Sequence, residues 1–203
     1  MRKSIESERN IGSIASRQQG YFTARQALEA GYSYPSQRYQ NETGNWIREE
    51  RGIYRLADYV PVERPDLVLW SLWSRDRKGK PQGVFSHETA LSIHELSDVM
   101  PASLHMTAPL SFRRSAGIPA VLVIHRATLE PADIQVMEGY SVTRPLRTII
   151  DVAACATISS DLLQQAIRQA LQRGLVQRDD LTRAARLNPS SPLAEIVRGL
   201  LSR

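Results

Sequence analysis

Gln37, Arg38 and Asn41 fall within one short polar run, Ser36-Gln-Arg-Tyr-Gln-Asn41. These side chains make paired hydrogen bonds to base edges in duplex DNA. At i, i+1 and i+4 on a helix, Gln37 and Asn41 share a face, with Arg38 beside them. Ser36 and Gln40 add further donors and acceptors, and only Tyr39 offers apolar bulk. A helix this polar has little core to bury, and it makes sense if one face enters a groove. Further along the chain, Arg48, Arg51 and Arg55 lie within reach of the phosphates that would flank such a groove. The plainer alternative is a small helical module used for protein contacts, since fold does not fix function.

Other chemistry finds less support. His87 and His94 are seven residues apart, each followed by Glu, but position 91 is Leu, so the His-Glu-x-x-His zinc motif is absent. On one helix the pair would be two turns apart, too far for one ion without other ligands. The expectation is of histidines that hydrogen-bond locally, with His105 and His125 structural in strands, and no metal or cofactor. Asp66, Glu88, Asp98, Asp133 and Asp151 are scattered, and no close acidic pair precedes a lysine as a metal-dependent nuclease would require. No phosphate-cradling glycine loop or nucleophile elbow appears. Arg147 and Asp151, four apart on a helix, read as a structural ion pair. No enzyme is expected.

The elements that position the polar run follow from local signals. Residues 4–18 read as a helix with Ile11, Ile14 and Ala15 on one face. Thr23-Ala-Arg-Gln26 is a capping box opening a second helix, which Gly31 closes. Pro35 belongs in the first turn of a third helix running to about Thr43. Trp46–Glu50, a turn at Arg51-Gly52 and Ile53–Leu56 read as a hairpin. Two prolines and charges at 58–65 mark a boundary. Beyond it, helices are expected from Pro65 or Asp66 to about Arg75, and from Ser86 as N-cap with Ala90, Leu91, Ile93, His94 and Leu96 buried. Leu104–Ala108, Val121–His125 and Gly139–Thr143 are strand candidates, and the continuous apolar run of the second predicts a strand covered on both faces. From Pro145 the pattern is helical: 145–156, 161–173, 179–187 and 193–201.

The chain has 203 residues, 42% of them hydrophobic and 23% charged, as in ordinary globular proteins. A formal net charge of +5 suits a nucleic-acid partner. Charges nearly balance in the first 60 residues, and residues 167–203 are the most basic. Phosphate attraction should therefore be modest, leaving more of the affinity to geometry and base contacts. The single cysteine, Cys155, lies in an apolar run, excludes an internal disulfide and reads as a buried structural thiol in a cytoplasmic protein. The N-terminus lacks the apolar core of a signal peptide, and no run is long enough to span a membrane.

Four blocks then occur in a telling order: Gly20-Tyr-Phe-Thr…Ala27…Gly31-Tyr-Ser33, Arg51-Gly-Ile-Tyr-Arg55, Phe85-Ser-His-Glu-Thr-Ala-Leu91 and Thr143-Arg-Pro-Leu-Arg-Thr-Ile-Ile-Asp-Val-Ala153. Together they resemble the AbiEi-type antitoxins of type IV toxin–antitoxin systems, which take part in abortive infection and phage defence. The resemblance implies a bacterial, cytoplasmic, α+β protein. An N-terminal winged helix-turn-helix over residues 1–60 would bind promoter inverted repeats as a repressor. A mixed α/β domain over 65–203, with a small sheet and several C-terminal helices, would counter a nucleotidyltransferase-like toxin without requiring a stable complex. Tyr39 stands where an aliphatic residue is expected in the third helix. The DNA-contacting residues would be Ser36, Gln37, Arg38, Gln40, Asn41, Arg48, Arg51 and Arg55. A stand-alone winged-helix regulator with a ligand- or partner-sensing second domain is the alternative, distinguished by the absence of an adjacent toxin gene.

Overall fold

Thr23 starts the local order of the N-terminal region. Its hydroxyl accepts from the Gln26 N–H (3.2 Å) while its own N–H donates to Gln26 Oε1 (2.8 Å), so both halves of the capping box form. This fixes α2 (Ala24–Glu29) behind α1 (Arg2–Ser16) and the short strand β1 (Tyr21–Thr23). Ser33 then caps α3 (Tyr34–Glu42), accepting from Ser36 N–H at 3.4 Å, with Pro35 in its first turn. The hairpin follows as β2 (Trp46–Glu50) and β3 (Ile53–Leu56), with Gly52 at φ +70° in the turn. The computed structural model describes residues 2–60, 64–115 and 117–201.

The three strands form an antiparallel sheet in the order β1-β3-β2, with Phe22 opposite Tyr54 and Arg48 opposite Tyr54 on the other side. Sequence periodicity missed β1, because three buried residues are too few to alternate visibly. Ile11, Ala15, Phe22, Ala27, Ala30, Tyr32 and Trp46 make the core. Trp46 meets Phe22 and Tyr32 edge-on, with ring centroids 4.7 and 4.8 Å apart. The next helix, α4 (Pro65–Trp73), packs against all three strands through a face that includes Leu67, Val68, Leu72 and Trp73.

The chain divides into two compact units: residues 1–83 with 136–141, and residues 84–135 with 142–203. The division falls at Gly83, so α4 belongs to the first unit. The return segment joins that unit closely. Gly139 adopts φ +86°, and a Cβ there would meet Val68 Cγ2 at 2.9 Å.

The second unit is built on β4 (Val84–Phe85), α5 (His87–Ile93), β5 (Leu104–Ala108), β6 (Leu122–Arg126), β7 (Ile134–Val136) and β8 (Ser141–Thr143). Helices α6 (Pro145–Cys155), α7 (Ser160–Gln172), α8 (Arg178–Leu187) and α9 (Pro192–Leu201) follow. Among the described residues the sheet order is β6-β5-β4-β8-β7, with β4 antiparallel to β5 and parallel to β8. Three sequence expectations need correction here. The apolar run at 121–125 is not covered on both faces: Val121 and Val123 are exposed, and β6 lies at the sheet edge. Ser86 does not cap α5 with its side chain, because its hydroxyl bonds Thr107 and His87 instead. Cys155 is exposed at the end of α6, not buried, since only Thr148, Ile149, Val152 and Ala153 of that turn pattern face the core. The core itself lies among α5 to α9, around Leu91, Ile149, Ile167 and Leu181. No described helix is long and apolar enough to cross a membrane.

Candidate nucleic-acid interface and the second-unit motifs

The polar run lies on α3, but its residues divide between two faces. Gln37 is 2% exposed, and its amide donates to Ala24 O (3.1 Å) and Tyr32 O (3.0 Å). It braces α3 against α2 and the turn before it. The expectation that Gln37 reads bases is therefore corrected: both donors of its amide nitrogen are committed to backbone. Arg38 and Asn41 are exposed, as are Tyr34 and Tyr39. Ser36 is half-buried, its backbone N–H donating to Ser33 Oγ. Gln40 is half-buried and accepts from Asn45 Nδ2 at 2.7 Å.

Arg38 pairs with Glu42 at 2.7 Å, with 80% of its side chain exposed. Such an exposed pair contributes little, so the guanidinium is cheaply redirected to another acceptor. Arg55 is different. Its side chain is 15% exposed, bonds Glu49 at 2.9 Å, and donates to Leu56 O and Tyr59 O. It locks the hairpin to the chain that follows, which corrects its placement as a phosphate contact. Arg48 and Arg51 remain exposed on the hairpin. The structure also places a basic segment, residues 76–80, beside the hairpin. Arg25 donates to Arg77 O (2.8 Å), and Arg75 donates to Gly52 O (3.3 Å), which carries the exposed Arg77, Lys78 and Lys80 to α2 and the hairpin turn. Their charge run was the available signal, but nothing in sequence tied the loop to the hairpin.

In the second unit the two long sequence blocks act as connectors. Thr107 Oγ1 donates to Ser86 Oγ (2.8 Å), and Thr89 Oγ1 accepts from His105 N–H (2.8 Å), tying the start of α5 to β5. His94 Nε2 lies 2.8 Å from Thr143 O, and burial lowers its pKa. Thr148 Oγ1 contacts Thr143 Oγ1 at 2.7 Å and lies 3.0 Å from Thr143 O, fixing the entry to α6. Arg147 pairs with Asp151 at 2.8 Å, as the spacing predicts, and also with Asp133 at 2.9 Å. Burial nonetheless holds the Asp151 carboxyl above its usual range, ahead of the opposing pull of Arg147. His87, His105 and His125 also converge. The rings of His87 and His125 stack at 3.5 Å, and His105 Nδ1 lies 3.1 Å from His125 Nε2.

The family described as the AbiEi antitoxin C-terminal domain matches residues 83–202. The chain belongs to the AbiEi antitoxin family. The match begins where the second unit begins and takes in both connector blocks. No match was found among curated proteins. Among solved structures, this AbiEi chain resembles the crystal structure of the RV2827C protein from Mycobacterium tuberculosis. That similarity has a TM-score of 0.50 at 15% identity, covers 98% of this chain and 81% of the other, and speaks to fold alone. Membership of the family gives the protein an antitoxin role and implies a toxin partner.

Proposed function

We propose that this AbiEi antitoxin belongs to a type IV system and represses its own operon. In this reading α1–α3 with the β1-β3-β2 sheet form a winged helix-turn-helix. Arg38 and Asn41 of α3 contact base edges in the major groove of promoter inverted repeats, with Tyr39 beside them. Arg48 and Arg51 on the wing contact phosphate, joined by Lys78 of the basic loop. The observation that carries this reading is the split of α3. Its inner face is spent on Gln37, which braces it against α2, while its outer face is polar and exposed and carries a surface ion pair.

Antitoxicity is assigned to the family domain, residues 83–202, acting against a nucleotidyltransferase-like toxin without a stable complex between the two proteins. Co-expression of the full chain with the neighbouring gene product tests both halves. Growth should be rescued, and a reporter driven by the operon's promoter should be silenced. Rescue that needs a co-purifying one-to-one complex would count against the type IV assignment.

A further inference from the structure

Sequence spacing gave the four histidines no metal chemistry, yet folding brings two of them to the cysteine. His87 is the first residue of α5, His125 lies in β6 and Cys155 is the last residue of α6. One ligand atom from each lies within 4.8 Å of the others. We propose that His87, His125 and Cys155 bind a zinc-class divalent ion, with His105 orienting His125 from behind. This inference stands independently of the DNA-binding reading.

The donor set fits that ion. Zinc takes imidazole nitrogen and thiolate sulfur together, usually in a tetrahedron. With metal–nitrogen and metal–sulfur bonds of about 2.0 and 2.3 Å, tetrahedral ligand atoms sit roughly 3.3–3.6 Å apart. The site must therefore tighten by about 1 Å from the present spacing. The stacked rings of His87 and His125 are inclined by only 12°, so their in-plane lone pairs do not converge. Binding turns one ring out of the stack. His125 is the one with room, being half-buried on an edge strand, whereas His87 is 5% exposed.

The surroundings supply the supports that metal-binding histidines use. A ligating imidazole is ordinarily held through its second nitrogen, which also fixes the tautomer. Ser86 Oγ lies 2.9 Å from His87 Nδ1, and accepting from it leaves Nε2 as the lone pair. His105 Nδ1 does the same for His125 Nε2 at 3.1 Å and leaves Nδ1 to bind. Cys155 is exposed and gives the ion a way in. The metal displaces the thiol proton to solvent as the metal–sulfur bond forms. Three protein ligands leave a fourth position for water or a donor from a partner.

Cobalt(II) titration of the reduced, chelator-stripped full chain tests the site. The expected result is a saturable one-to-one spectrum with tetrahedral ligand-field bands and a near-ultraviolet thiolate-to-cobalt band, both displaced by zinc. Cys155→Ser should abolish the thiolate band with an unchanged far-ultraviolet circular dichroism spectrum, because Cys155 lies outside the core. His105→Gln should keep the band but weaken zinc binding by about 10–100-fold, the usual effect of losing an orienting partner. His125→Gln should lose the tetrahedral spectrum. No saturable cobalt spectrum from the wild-type chain, or a thiolate band that survives Cys155→Ser, would overturn the proposal.

Discussion

Gln37→Ala should unfold the N-terminal unit more easily and leave base preference to other residues. The wild-type amide nitrogen donates to Ala24 O and Tyr32 O from a position 2% exposed. Each neutral hydrogen bond contributes about 1 kcal/mol net, and the buried Tyr32 O left without this donor costs about 1–3 kcal/mol. Some water entry would soften the second figure, so a loss of about 2–3 kcal/mol is expected. With a urea dependence of roughly 2–3 kcal/mol per molar, the midpoint should fall by about 1 M. Trp46, Trp70 and Trp73 are the chain's three tryptophans, and all lie in the first unit. Tryptophan fluorescence therefore reports the unfolding of that unit. Measured below the variant's transition, the ratio of promoter to scrambled-DNA affinity should match the wild type. An unchanged urea midpoint together with a lost promoter preference would refute the reasoning and return Gln37 to the DNA-reading face.

Three further outcomes follow from the same structure. Arg51→Ala should weaken promoter and scrambled DNA alike and reduce the log–log salt slope by about one, whereas Arg55→Ala should mainly lower the urea midpoint, because Arg55 holds the hairpin. A fragment ending at Val60 should be markedly less stable than one ending at Gly83, since burying Leu67, Val68 and Leu72 of α4 is worth about 1.5–3 kcal/mol each; equal urea midpoints would contradict this. Acid should destabilise the second unit of the metal-free chain through His87. Its pKa is about 3 when folded and roughly 6.5 when unfolded, so between these values the unfolded chain holds the extra proton and stability falls as pH falls. At pH 5 the loss is about 2 kcal/mol relative to pH 7, and His87→Gln should remove that part of the pH dependence in chemical denaturation followed by far-ultraviolet circular dichroism.

Signals that act within one turn of chain were legible in the sequence. The Thr23–Gln26 capping box, Pro35 in the first turn of α3, the Gly52 turn and the Arg147–Asp151 pair depend on neighbours three or four residues away, and each forms as its spacing predicts. What sequence did not reveal depends on tertiary placement. Gln37 and Asn41 share a nominal helix face, but the face is wide enough for Gln37 to reach Ala24 and Tyr32 while Asn41 stays in solvent. The apolar run at 121–125 looked buried because periodicity cannot tell an edge strand from a central one. The alanines and Cys155 at the end of α6 extended an apolar pattern past the turn where the core stops. His87, His125 and Cys155 are far apart in sequence, and only the order of β6, β5 and β4 beside α5 and α6 unites them.

The central claim, that the outer face of α3 reads promoter DNA, is tested most directly by one ratio. Affinity for the operon's upstream region should be measured against scrambled duplex at physiological salt for the wild-type chain and for Asn41→Ala. A good bidentate base contact gives about 1–3 kcal/mol of discrimination, roughly 5- to 150-fold. The account predicts a wild-type preference for the upstream region, and a fall in that preference within this range for Asn41→Ala with little change on scrambled DNA. Equal wild-type affinity for both duplexes, or an Asn41→Ala ratio identical to the wild type, would contradict it.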